Sequence, residues 1–274
     1  MMKPKTTPSA TRERLHALLH ELNFKGMQRV LDTELDQAER NAVPHAQLVE
    51  QLLTEQASFQ RERALSNRIA RAHLPWQWSI DTFPFKQQSG IDKAQILALA
   101  DLEFVRRAEN LVLIGGTGTG KTGIAMGLLR QACVNGWRGR FYNAQALLDE
   151  LYASLADRST TRLLTALSRM NPLCIDELGY LNLKSEQVNA FFRLMDQRYG
   201  RVSTIITTNL DYPAWYALFD NKPLVDALLD RLQHHCITIR IDGPSLRASA
   251  DASNMPATTA PATKAAHTSR RKAK

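Results

Sequence analysis

The chain has 274 residues, 44% hydrophobic and 23% charged, with a formal net charge of +8. No apolar run approaches the roughly 20 residues that span a bilayer, and the basic first residues lead into an amphipathic segment, not a secretory core, so a cytoplasmic chain with no membrane partner is expected. Cys133, Cys174 and Cys236 are far apart, each in an apolar run, which indicates core residues rather than a disulfide framework or a zinc site.

Residues 1–10 are rich in Pro, Thr and Lys and are expected to be disordered. A helical N-terminal domain is expected over 11–74. Leu15, Leu18, Leu19 and Leu22 have helical spacing, a break falls near Phe24–Gly26, and a second helix covers about 27–40. No Gly or Pro interrupts the chain between Pro44 and Pro75, which predicts a long third helix with Leu48, Leu52, Phe59 and Ile69 on one face. Arg61, Arg68 and Arg71 fall roughly opposite, as a solvated face or a phosphate-contacting stripe. Residues 75–93 turn aromatic and proline-rich and are expected to form a connector. One helix is predicted from Asp92 to Arg107. Beyond it apolar strands alternate with helices, at 111–115, 139–144, 172–178, 203–209 and 236–241. This predicts an α/β domain with a parallel sheet flanked by helices, over 94–247. Residues 248–274 have almost no large apolar residues and carry five cations against one acid, half the net charge, so a disordered basic tail is expected.

The most informative stretch follows the first strand. Gly115-Gly116-Thr117-Gly118-Thr119-Gly120-Lys121-Thr122 matches G-x-x-x-x-G-K-[ST] in full, with an apolar strand before it and a helical pattern after it. Glycines let successive backbone N–H groups approach an anion, and the helix adds its positive end. Lys121 is suited to the β- and γ-phosphates of ATP and the Thr122 hydroxyl to the bridging magnesium ion.

A second acidic motif decides among nucleotide chemistries. The run Leu173-Cys174-Ile175 delivers Asp176 and Glu177 at a strand's carboxyl end. Asp176 there can hold magnesium, and Glu177 can polarise an attacking water as general base. Together they predict a hydrolase. Asn209 closes another buried strand, where an amide can orient the water or simply form a turn. Arg231 and Arg247 are candidates for charge stabilisation.

The motifs GGTGTGKT, LCIDELGY, TIITTN and DRL–GPSLR, in this order over roughly 90–247, resemble the IstB-type transposition helper ATPases of bacterial insertion sequences. The helical N-terminal segment, the connector with SGIDK and the phrase DELGYL make the likeness more specific than one to any AAA+ ATPase. Helicase loaders of the DnaC kind are similar through the same core. The resemblance implies a P-loop AAA+ domain that forms homo-oligomers on duplex DNA with ATP, recruits a transposase and helps direct insertion. It implies that Asn209 is the first sensor, that Arg231 is an arginine finger acting on a neighbouring subunit's ATP, and that Arg247 is the second sensor. Gly123-Ile124-Ala125 departs from the His-Leu-Ala that commonly follows the Lys-Thr pair in the family.

DNA contact is likewise implied by the resemblance, with Arg158, Arg162, Arg169 and Lys184 as candidates to face duplex phosphates. Two alternatives remain open at this point: a replicative helicase loader, and a nucleotide-switched scaffold with little hydrolysis.

Overall fold

The computed structural model describes residues 8–179 and 181–246. Arg247 and the basic tail lie outside the described residues.

Three helices come first: α1 (Pro8–Glu21), α2 (Lys25–Asn41) and α3 (His45–Ala72). The first begins inside the stretch expected to be disordered. Leu19, Leu31 and Leu52 form a small core among them, with Leu15, Phe24, Met27 and Leu48 packed against it. Gly26 sits where α2 meets α3; its N–H donates to Gln56 Oε1 at 2.8 Å, and an added Cβ would lie 2.8 Å from the Phe59 Cβ.

The connector runs from α3 to α4 (Lys93–Leu99), which is followed by α5 (Glu103–Arg106). The single helix predicted for Asp92 to Arg107 is therefore two. Leu102 adopts the left-handed conformation, with φ of 60°, which breaks the helix and leaves its side chain only 1% exposed in the core.

The remaining elements alternate: β1 (Asn110–Gly115), α6 (Lys121–Val134), β2 (Arg140–Asn143), α7 (Ala144–Ala156), α8 (Thr160–Leu167), β3 (Leu173–Asp176), α9 (Ser185–Arg198), β4 (Thr204–Thr208), α10 (Trp215–Phe219), α11 (Lys222–His234) and β5 (Cys236–Ile241). The strands form one parallel five-stranded sheet in the order β2-β3-β4-β1-β5. Leu111 pairs with Ile205 and with Ile237, so β1 is central and flanked on both sides. Both faces are covered. Val112, Ile114, Ile175 and Ile206 belong to a core shared with α7, α8, α9 and α11. Leu111, Leu113, Cys174 and Ile205 belong to the core under α4, α5 and α6. This alternation is the two-residue period of a strand, and burial on both sides is why these strands read as unbroken apolar runs. Among the described residues, no helix is long and apolar enough to cross a membrane.

The long α3 packs on α6. Arg68 Nε donates to the Cys133 carbonyl at 2.9 Å, so this arginine joins the N-terminal helices to the sheet layer and is not part of an outward stripe. Cys133 and Cys174 are buried, while Cys236 is half-buried.

One buried charge fixes the sheet's amino-terminal end. Arg198 is 1% exposed. Its Nη1 donates to the carbonyls of Leu167 and Met170 at 2.6 and 2.8 Å, its Nη2 to Ser203 O at 2.5 Å, and its Nε to Thr204 Oγ1 at 3.0 Å. Burial opposes the charge and lowers the pKa to about 9, and the ring of acceptors offsets that cost. Replacing Arg198 by Met strands those buried carbonyls. We expect a loss of about 3 kcal/mol or more, at roughly 1–3 kcal/mol per orphaned group, read as a lower urea midpoint at unchanged slope.

Candidate nucleotide site

A parallel sheet gathers the carboxyl ends of its strands at one edge, and ligands bind where neighbouring strands feed loops in opposite directions. Here that point is the end of β1. The loop from Gly115 to Gly120 leaves β1 and enters α6, with φ of 81° at Gly118 and 95° at Gly120. Both values are left-handed and favour glycine. Lys121 Nζ donates to the carbonyls of Gly115 and Gly116 at 2.8 and 2.7 Å, and Thr119 Oγ1 donates to Gly116 O at 2.9 Å.

The acid pair arrives from the neighbouring strands. Asp176, at the end of β3, is 5% exposed. It accepts from Thr122 Oγ1 at 2.9 and 3.2 Å and from Thr207 Oγ1 at 2.6 Å. Burial raises its pKa from the ordinary value, while the two hydroxyl donors act in the opposite sense. Glu177 adopts φ of 61°, an uncommon conformation for a residue with a side chain. Its N–H donates to Thr207 Oγ1 at 2.9 Å, and its Oε2 accepts from Asn143 Nδ2 at 3.1 Å. The hard oxygens of Thr122 and Asp176 fit magnesium, which binds carboxylates and hydroxyls rather than soft ligands.

Several of these groups line one cavity of about 950 Å³, and Asp176 is joined to it through its hydrogen bond with Thr122. Thr117, Gly118, Gly120, Lys121, Thr122, Glu177 and Asn209 line it. The volume suits a nucleotide-sized ligand.

A third chain segment is tied to the loop behind the cavity. Gln88, in the connector, is fully buried. Its Nε2 donates to Thr119 O at 3.0 Å and to Pro244 O at 2.9 Å, and its Oε1 accepts from Gly90 N at 3.2 Å. The chain crossing is tight: a Cβ at Gly90 would lie 2.4 Å from the Asp242 carbonyl carbon, and one at Gly243 1.6 Å from Gln88 Oε1. Leu246 N donates to Gly118 O at 2.9 Å. The connector, the phosphate-type loop and the segment after β5 are thus one hydrogen-bonded unit.

Residues 17–253 match the model of the IstB-like ATP binding protein family. The chain belongs to this family. The IS21 insertion-sequence ATP-binding protein of Pseudomonas aeruginosa is 34% identical over 233 residues, covering 85% of this chain and 88% of that relative. Its IS5376 counterpart from Geobacillus stearothermophilus is 28% identical over 236 residues, covering 86% and 94%. Among solved structures, the fold is similar to that of the DnaC helicase loader, with a TM-score of 0.52 at 22% identity, over 61% of this chain and 97% of that one. It is also similar to the replication initiator DnaA bound to AMPPCP and single-stranded DNA, with a TM-score of 0.52 at 15% identity, over 68% and 58%. The chain is accordingly a member of an ATP-binding protein family with an α/β P-loop fold.

The other expected residues lie elsewhere. Arg231, on α11, forms an ion pair with Asp196 at 2.8 Å, its guanidinium lies 5.7 Å from the Tyr199 ring centre, and it is absent from the described cavity lining. Arg247 lies outside the described residues. Arg158, Arg162 and Arg169 are exposed around α8. Lys184, at the start of α9, is exposed with its Nζ 4.4 Å from the Tyr152 ring centre.

Sequence reasoning missed Asn143, Thr207 and Gln88. Thr207 sits inside a run read only as a buried strand, and knowing that β4 lies beside β3 was needed to aim its hydroxyl at Asp176. For Gln88 the two glycines of SGIDK and GPSLR were a usable signal, since they mark where the segments cross. Replacing Gln88 by Ala leaves two buried carbonyls without their donor. We expect a stability loss of about 1–3 kcal/mol and roughly tenfold weaker ATP binding, measured by thermal unfolding and calorimetry; an unchanged affinity would show that the crossing does not shape the loop.

Proposed function

We propose that this chain is an ATPase of the cytoplasm that assembles on duplex DNA with ATP bound, recruits a transposase, and is released when ATP is hydrolysed. The observation that carries the reading is the convergence of Lys121, Thr122 and Glu177 on one cavity, with Asp176 hydrogen-bonded behind Thr122, in a family whose relatives are named for insertion sequences.

Within this reading, the backbone N–H groups of the loop and Lys121 hold the β- and γ-phosphates. Thr122 and Asp176 would hold magnesium, which would neutralise charge on the phosphate oxygens. Glu177 accepts the proton of the attacking water, and Asn209 fixes that water's orientation. The hydrogen bond from Asn143 keeps the Glu177 carboxylate aligned across the cavity mouth. Arg247 completes the site from its own chain. Arg231 acts on the ATP of an adjoining copy, which supports a homo-oligomer as the active form; its position away from its own cavity favours this. Arg158, Arg162, Arg169 and Lys184 contact duplex phosphates without reading sequence. The alternative of a helicase loader draws only on the shared fold.

Three outcomes follow from the proposal. Glu177→Gln should bind ATP normally and lose hydrolysis by a hundredfold or more, in line with general-base contributions of about 10²–10⁴; equal, negligible turnover in both proteins would mean a scaffold instead. Arg231→Ala should retain ATP binding and lose turnover by about a thousandfold, and mixing it with Lys121→Ala protein should restore part of the rate, because each then supplies what the other lacks. Reversing Arg158 and Arg162 to Glu should weaken duplex retention in ATP and lower the salt slope by about 2. Retention of single strands in preference to duplex would favour the loader.

A further inference from the structure

Two of the chain's four tryptophans stand within three residues of each other in the connector, and both line the nucleotide cavity. Trp76 is 61% exposed. Trp78 is half-buried, with its ring centre 6.2 Å from that of Phe83.

The seat of Trp78 is built by a missing side chain on α6. Gly123 follows Thr122 directly, and a Cβ there would lie 3.0 Å from Trp78 Cε3 and 3.1 Å from Cζ3. One turn later, a Cβ at Gly127 would lie 2.7 Å from Ile80 Cδ1. The four residues from 123 to 127 rise about 6 Å along a helix, and the two from 78 to 80 span about 6.6 Å when extended. Ser79, between them, is extended, with φ of −127° and ψ of 147°. From Trp78 to Ile80 the connector therefore runs in the same direction as α6, in a groove that two glycines leave open. Trp78 lies nearer the helix N-terminus, where the loop for the phosphates ends. Glycine is unfavourable in a helix relative to Ala, and here the missing side chain at 123 sets the indole against the backbone.

The cavity thus has two characters. Lys121, Thr122, Glu177 and Asn209 make one part polar, whereas Trp76, Trp78, Pro84, Met126 and Leu246 make another apolar and aromatic. Phosphates have no use for the second part. A planar heteroaromatic ring does, since it stacks favourably on indole.

We propose that Trp76 and Trp78, the second of them seated on Gly123, form a stacking wall for the base of the bound nucleotide. This rests on the reading that the loop holds the phosphates of ATP, and the experiment separates the two. Binding of ATP and of inorganic tripolyphosphate, each with magnesium, is measured by calorimetry on the full chain and on Trp76→Ala, Trp78→Ala and Gly123→Leu. The wild type should bind both, ATP more tightly, and ATP alone should shift its tryptophan fluorescence. All three variants should lose about tenfold or more in ATP affinity and keep that for tripolyphosphate. Trp76 is largely exposed, so its variant tests the wall even where the other two fold poorly. ATP affinity unchanged in Trp76→Ala, or a wild type that binds ATP no better than tripolyphosphate, overturns the wall and leaves the phosphate loop standing. A wild type that binds neither overturns both.

Discussion

The Asp176 carboxylate, buried at the end of β3, is held at once by hydroxyls from α6 and from β4. A carboxylate in that position is tolerated only because each side supplies a donor, and each donor is correctly placed only if β3, β4 and α6 keep their register. Thr207 serves twice, since its hydroxyl also accepts the Glu177 N–H. The backbone of Glu177 then turns through a left-handed conformation, which ends the strand and leaves the side chain at the cavity mouth. The geometry of the acid pair is in this sense a property of strand order.

The same edge is closed from the other side by chain crossing. Gln88 replaces a missing secondary-structure partner for two carbonyls that are far apart in sequence, Thr119 and Pro244. Glycines at 90 and 243 are the consequence, because no side chain fits between the crossing segments. The connector lies over α6 as well, where Gly123 and Gly127 admit Trp78 and Ile80. A segment with little regular structure is therefore among the best anchored parts of the nucleotide site, and it leads directly from α3. Trp78 and the Arg68 contact tie the connector and the N-terminal helices to α6, the helix that follows the loop.

Far from the site, the Arg198 guanidinium organises the opposite edge. It gathers carbonyls from the end of α8, the turn before β3 and the start of β4. These are the places where parallel strands leave backbone groups without ladder partners, and one planar cation with five donors satisfies several of them.

The sequence by itself determined the alternation of elements and the motifs that mark the candidate site. The eight residues from Gly115 to Thr122, the Asp176-Glu177 pair after an apolar run, and the helix and strand segments were legible because each is a local pattern: a glycine spacing, a two-residue or a 3.6-residue period. The family could be recognised from the same stretches. Other features needed tertiary structure, because they depend on which strands become neighbours and which distant segments cross. The order β2-β3-β4-β1-β5 aimed Thr207 at Asp176, and the meeting of connector and post-β5 segment gave Gln88 its role. Packing of α3 on α6 turned Arg68 inward, and core burial of Leu102 broke a helix that periodicity had run straight through. The glycine at 123, a mere departure from pattern in the sequence, gained its physical reason only when Trp78 was found against it.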